Sequence, residues 1–240
     1  MSSITTSTVK DLAIEMPGAT RVFEKLGIDY CCGGGRSLSD ACFSVGLSPE
    51  EVVQQLEAAR SNENTARERQ WPAESLGALV KHIIDKHHVF TRNELDRLEP
   101  LLAKVRSAHE KNHPELVEIE KLFSSLKSDL TLHMKKEEMI LFPYIIALED
   151  AVAAGRPVPS PMFGTVRNPV RQMRTEHDTA GDILRNIRKL SSDYSLPGDA
   201  CASFKAAYEA LEDLEKDLHQ HIHLENNVLF PKAEEVEPNQ

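Results

Sequence analysis

Two stretches of this chain are near copies of one another. His133-Met-Lys-Lys-Glu137-Glu-Met-Ile140-Leu141-Phe142-Pro143 and His221-Ile-His-Leu-Glu225-Asn-Asn-Val228-Leu229-Phe230-Pro231 both read H-x-x-x-E-x-x-(I/V)-L-F-P. On a helix, residues i and i+4 share a face about 6 Å apart along the axis, so each copy presents an imidazole beside a carboxylate. Two buried carboxylates facing one another are costly unless cations neutralise them. A fold that uses both copies on facing helices therefore points to a dinuclear metal site.

The surrounding sequence is helical in character. Four long apolar-periodic stretches, about 75–107, 115–154, 162–193 and 199–235, are separated by His113-Pro114, by the Pro-rich run from Gly155 to Pro161, and by Pro197-Gly198. Connections this short make neighbouring helices antiparallel. The expectation is an all-α protein: a small N-terminal helical domain over 1–62, a polar linker over 63–75 and an antiparallel four-helix bundle over 76–240. In the N-terminal part, Val9, Leu12, Ala13 and Met16 keep helical spacing as far as Pro17-Gly18, and Ser48-Pro49 reads as a helix start. Trp71, the single Trp, is expected to plug the junction.

The net charge of -10 excludes nucleic acid or an anionic membrane surface as the main partner. No apolar run approaches the ~20 residues of a membrane span, and the N-terminus lacks a basic-then-apolar leader. Four Cys in a chain of this length do not make a disulfide scaffold, so a cytoplasmic location is expected.

Periodicity sorts the histidines. His221 and Glu225 share a seam with Leu211, Leu214, Leu218 and Val228, whereas His219 and His223 have polar neighbours and are expected to face solvent. His133 and Glu137 share a face with Leu122, Leu126, Leu130 and Leu141, and His177 lies among Val170, Met173, Ala180 and Leu184. On the first long helix the apolar pattern slightly favours His87, while the 44-residue spacing from His177 to His221 is better matched by His88 to His133 than by His87 to His133. Four imidazoles with two carboxylates suit iron better than zinc, copper or manganese, and six ligands for two metals leave positions for an oxo bridge, water or a small diatomic molecule. The Leu-Phe-Pro tails read as packing and helix termination.

Asp29-Tyr30-Cys31-Cys32-Gly33-Gly34-Gly35 is a second candidate site. Flexible backbone amides can stabilise a thiolate, and adjacent thiols can ligate metal or exchange disulfides. Cys42 and Cys201 read as inert.

The chain resembles the repair-of-iron-centres family, which joins an ScdA-type N-terminal domain with a vicinal Cys pair to a hemerythrin-like bundle. Gly27-Ile-Asp-Tyr-Cys31-Cys32-Gly-Gly-Gly, Met134-Lys-Lys-Glu137-Glu, Glu176-His177-Asp178 and His221-x-x-x-Glu225-Asn-Asn-Val-Leu-Phe-Pro carry the likeness. The resemblance implies two non-heme iron ions, oxo- or hydroxo-bridged, held by His88, His133, His177 and His221 with Glu137 and Glu225 bridging; His82-Ile-Ile-x-x-x-His88 settles the first imidazole. It further implies repair of iron–sulfur clusters damaged by nitrosative or oxidative stress, with damaged iron–sulfur proteins as partners and Cys31 and Cys32 in iron delivery or redox chemistry. The alternatives are a protein that binds, scavenges or senses NO or O2, and a di-iron NO reductase. A homodimer is an open alternative to a monomer.

Overall fold

The structure, a computed structural model, describes residues 2–16, 18–60 and 71–237. Pro17 and most of the expected linker lie outside the described residues. Short helices make the N-terminal unit: α1 (Ser2–Thr6), α2 (Val9–Glu15), α3 (Ala19–Leu26), α4 (Leu38–Ser44) and α5 (Pro49–Arg60). Thr8 and Ser37 cap α2 and α4 by accepting the N–H of Asp11 and Asp40, as their short hydroxyl side chains favour. Val9, Phe23, Tyr30, Leu38 and Leu56 form a core of their own.

The Gly-rich loop is fixed rather than slack. Lys10 N–H donates to Gly34 O at 2.8 Å, and a Cβ on Gly34 would meet Tyr30 O at 2.7 Å and Lys10 Cβ at 3.1 Å. Gly34→Ala is expected to cost about 1–3 kcal/mol through this overpacking. It would show as faster amide exchange across the N-terminal unit while the bundle amides keep their protection.

Four long rods follow. Leu76–His82, the π-helical turn Ile83–His88 and Val89–His109 run continuously as α6. Glu115–Lys136, the π turn Glu137–Leu141 and Phe142–Ala153 form α7; Arg167–Leu190 is α8; Ala202–Leu224, the π turn Glu225–Leu229 and Phe230–Val236 form α9. Rod α6 packs on α7 and α9, and α7 packs on α8. Two carboxylates close the helix ends across the tertiary structure. Glu149 accepts the first N–H groups of α6, from Leu76 and Gly77, and Glu237 accepts Val166 N–H at the start of α8 together with the Tyr144 hydroxyl.

The Leu-Phe-Pro tails do not terminate their helices. Phe142 N–H reaches Glu137 O and Phe230 N–H reaches Glu225 O, five residues back, and both rods continue beyond the proline. Proline lacks an N–H, and its ring clashes with the carbonyl four residues back in a regular helix. The wider π turn relieves that conflict, so Pro143 and Pro231 sit at the start of renewed α-helix. The packing half of the expectation holds, since Phe142 and Phe230 are fully buried.

Each rod carries one apolar layer towards each end of the bundle. The first layer includes Leu95, Leu130, Ala180 and Leu218; the second includes Ile83, Leu141, Met173 and Val228. Between them, on every rod, lies a polar layer. Trp71 stacks against His82 at 4.3 Å and packs on the second apolar layer.

Candidate metal centre

The polar layer consists of His88, His133, Glu137, His177, His221 and Glu225, all buried. Two π turns begin at Glu137 and Glu225 and a third ends at His88, so three of the four rods change pitch where they meet the site.

The donor atoms fall into two groups. His88, His221, Glu137 and Glu225 converge in one, and His133, His177, Glu137 and Glu225 in the other, with the atoms of each group within 4.8 Å of one another. Nε2 of His88 lies 3.1 Å from Nε2 of His221, and Nε2 of His177 lies 3.0 Å from Nε2 of His133. Glu137 spans the groups, with Oε1 3.3 Å from His133 and Oε2 3.4 Å from His88. Glu225 spans them the other way, with Oε1 3.0 Å from His221 and Oε2 3.1 Å from His177. Each carboxylate thus offers one oxygen to each group.

Both Glu137 oxygens and Oε2 of Glu225 are buried without a hydrogen bond. A buried unsatisfied acceptor costs about 1–3 kcal/mol, and more when charged. Two cations would satisfy these atoms, so the donor set fits a dinuclear metal.

Three of the four outer nitrogens are oriented from behind, while Nδ1 of His221 is buried without a hydrogen bond. His88 Nδ1 lies 2.7 Å from Glu138 Oε1, which also accepts from Arg92. His133 Nδ1 lies 2.8 Å from Glu176 Oε2, and Lys136 and Gln172 hold the other Glu176 oxygen. His177 Nδ1 lies 3.0 Å from Asn226 Oδ1. A proton held at Nδ1 leaves the Nε2 lone pair facing inward, as metal ligation needs. The His133 contact, with Lys136 and Gln172, pulls Glu176 down to about 2 against the effect of burial.

Electrostatics match a site built for cations. Burial opposes charge on His133, yet Glu137 and Glu176 outweigh it and push this imidazole up to about 10. Burial and the charge of Glu225 both oppose ionisation of Glu137, but His133 and His88 bring it net below the ordinary carboxylate value. With no metal, protons on His88 and His133 take part of the place of cations, whereas burial holds His221 toward its neutral form.

His87 is also buried, because the π turn directs two consecutive residues inward. Its ring lies parallel to His221 at 5.6 Å and its Nδ1 meets Asp217, so His88 and not His87 joins the cluster. His219 and His223 do not face open solvent as their neighbours suggest. His219 bonds to Glu24, and His223 is buried against the edge of the Tyr30 ring at 5.4 Å. The N-terminal unit covers this side of α9, and burial drives His223 down to about 4.

That contact places the Cys loop beside the His/Glu layer. Asn226 Nδ2 donates to Cys31 O at 3.4 Å, Asn227 Nδ2 donates to Tyr30 O at 3.0 Å, and Cys32 Sγ lies 3.9 Å from His177 O. Asn226 therefore touches both the Cys loop and the imidazole of His177. The amides of the two cysteines are not free for a thiolate: Cys31 and Cys32 N–H both donate to Asp29 Oδ1. The hydrogen bond with Cys32, then burial, then Asp29 push the Cys31 thiol well above its ordinary value. Sequence reasoning missed Glu138, Glu176 and Asn226, since each meets its histidine from another helix and leaves no mark in local spacing.

A four-helix bundle with this buried layer of four His and two Glu is a hemerythrin-type cation-binding domain. The hemerythrin HHE cation-binding domain family matches residues 79–233, and the ScdA N-terminal family, a domain of unknown function, matches residues 5–60. A probable iron-sulfur cluster repair protein of Haemophilus influenzae is 32% identical over 225 residues, covering 94% of this chain and 95% of the relative. Iron-sulfur cluster repair proteins YtfE of Dickeya chrysanthemi and Escherichia coli are each 34% identical over 223 residues, covering 93% of this chain and 94% of theirs. The chain belongs to the repair-of-iron-centres family. Among the described residues, no helix is long and apolar enough to cross a membrane.

Proposed function

We propose that this protein repairs iron–sulfur clusters damaged by nitrosative or oxidative stress, supplying iron from a di-iron centre. His88 and His221 would hold one iron and His133 and His177 the other, with Glu137 and Glu225 bridging and an oxo or hydroxo group completing the pair. The carrying observation is the pair of buried carboxylates, each spanning both histidine pairs with oxygens that lack a hydrogen bond. Support for repair, as distinct from metal storage, comes from relatives that bear that description along almost their whole length.

The residues of the site suit release as well as binding. Every imidazole must lose its Nε2 proton to bind, so proton uptake opposes retention. Glu138 and Glu176 hold the Nδ1 protons of His88 and His133 and return those two rings to their binding tautomer. We further propose that residues 1–62 form a delivery domain, joined through 63–75 to the bundle at 76–240. It would present Cys31 and Cys32 beside His177, through the Asn226 contact. The clients would be iron–sulfur proteins in the cytoplasm.

Iron-loaded protein incubated with an NO-damaged iron–sulfur enzyme is expected to restore activity beyond what an equal amount of free iron restores. Recovery no better than free iron would overturn the proposal. Reversible NO binding without iron transfer would instead indicate a scavenger or sensor, and nitrous oxide over many turnovers a reductase.

A further inference from the structure

The end of the bundle remote from the His/Glu layer carries a second group of reactive side chains. Cys201 is the N-cap of Ala202–Leu224 and is exposed. Its Sγ lies 3.2 Å from Nε2 of His109, the last residue of Val89–His109. The sulfur also sits at the N-terminus of that helix, whose first-turn N–H groups have no partner within the helix. A base and a helix terminus, supplied by different parts of the chain, thus act on one thiol, and both favour its ionised form.

The base is held in place. The His109 ring packs on Phe204 at 5.3 Å and lies 6.2 Å from His113. His113 is in turn fixed by Asp199 at 2.8 Å and Glu115 at 3.2 Å. Contact with His109 first, and the backbone donors after it, bring the Cys201 thiol down to about 7. Burial has the opposite effect on Cys42, and Cys31 is pushed up by Cys32 and by burial. The spacing that leaves Cys201 reading as inert does not register this contact, because the partner lies 92 residues away in the sequence.

We propose that Cys201 and His109 form a reactive thiolate–imidazole pair, a site of covalent modification by low-molecular-weight disulfides such as oxidised glutathione. The Cys201 thiolate attacks one sulfur of the disulfide. A new bond forms to Cys201, the original sulfur–sulfur bond breaks, and the second half leaves as a thiolate that takes a proton from solvent. Cys201 is oxidised to the mixed disulfide and the departing thiol is the reduced product, with no other oxidant. Twenty residues of helix separate Cys201 from His221, about 30 Å, so the adduct does not touch the metal centre.

The test uses the full-length, iron-loaded protein and oxidised glutathione, with peptide mapping by mass spectrometry. Cys201 is expected to be the first of the four thiols modified at pH 6.5. Lowering a thiol from about 8.5 to 7 raises its thiolate population at this pH roughly 25-fold, and the accompanying loss of nucleophilicity offsets about fivefold of that. Because the helix terminus keeps part of the effect, His109→Gln is expected to slow modification by about two- to fivefold at pH 6.5 and to move the pH–rate profile upward. Iron content should stay unchanged. Ultraviolet thiolate titration of the wild type against Cys201→Ser supplies a second measurement, with a step near pH 7 expected only in the wild type. First modification at Cys31 or Cys32, a rate insensitive to His109→Gln across the pH range, or no such step would each overturn the proposal.

Discussion

Glu225→Ala is expected to lower bound iron from about two per chain to less than one, and cluster repair with it. Glu225 contacts both His221 and His177, at 3.0 and 3.1 Å, and it is fully buried. Its loss removes a ligand atom from each group at once. Glu225→Gln separates ligation from packing, because it keeps the shape and removes the charge. It is expected to lose iron as well, and to make the metal-free protein less stable than wild type. Burial opposes the charge on Glu225, but contacts with His221 and His177 outweigh it and hold this carboxylate well below its ordinary value, so the charge that Gln removes is a stabilising one. Metal analysis with denaturant melts of both forms checks the pair of outcomes. Two irons retained in both variants would remove Glu225 from the site.

Chelation of the wild-type protein is expected to lower its thermal midpoint by about 8–16 °C. A ligand present at 1,000 times its dissociation constant stabilises by about 4 kcal/mol, and each kcal/mol moves the midpoint of a protein of this size by about 2–4 °C. The chelated protein should also acquire a pH dependence that the loaded protein lacks. The folded-state value of His133 is raised from 6.5 to about 10. Its contribution is therefore fully present below 6.5 and is lost as pH rises toward 10, because the buried carboxylates lose a protonated partner. At pH 8.5 the chelated protein should be about 2–3 kcal/mol less stable than at 6.5, while metal makes the loaded form indifferent to that proton. Calorimetry of both forms at the two pH values would show it, and parallel curves would contradict it.

Much of this protein was legible because its site is built from helical repeats. Spacing of four within His133–Glu137 and His221–Glu225, set among leucines of the same phase, is a local signal, and so was the phase of His177. His88 against His87 was not decidable by a regular helical period, because Ile83–His88 is a π turn that buries both. The prolines after Phe142 and Phe230 were read as stops for the same reason: a period of 3.6 has no place for the wider turn that accommodates them.

The sequence by itself determined the four rods, three of the imidazoles and the two carboxylates among them, and left the first rod with His87 or His88 until the family resemblance pointed to His88. Each depends on residues within a few turns of one another, and side-chain periodicity records such neighbours. The tertiary structure alone decided what surrounds them: Glu176 behind His133, Asn226 between His177 and the Cys loop, His223 under Tyr30, and His109 beside Cys201. These pairs lie from 43 to 195 residues apart, and polar neighbours in sequence say nothing about a surface that another unit covers. The repeated His-x-x-x-Glu motif fixed where metal could be held; the packing of the N-terminal unit on α9 fixed what stands next to it.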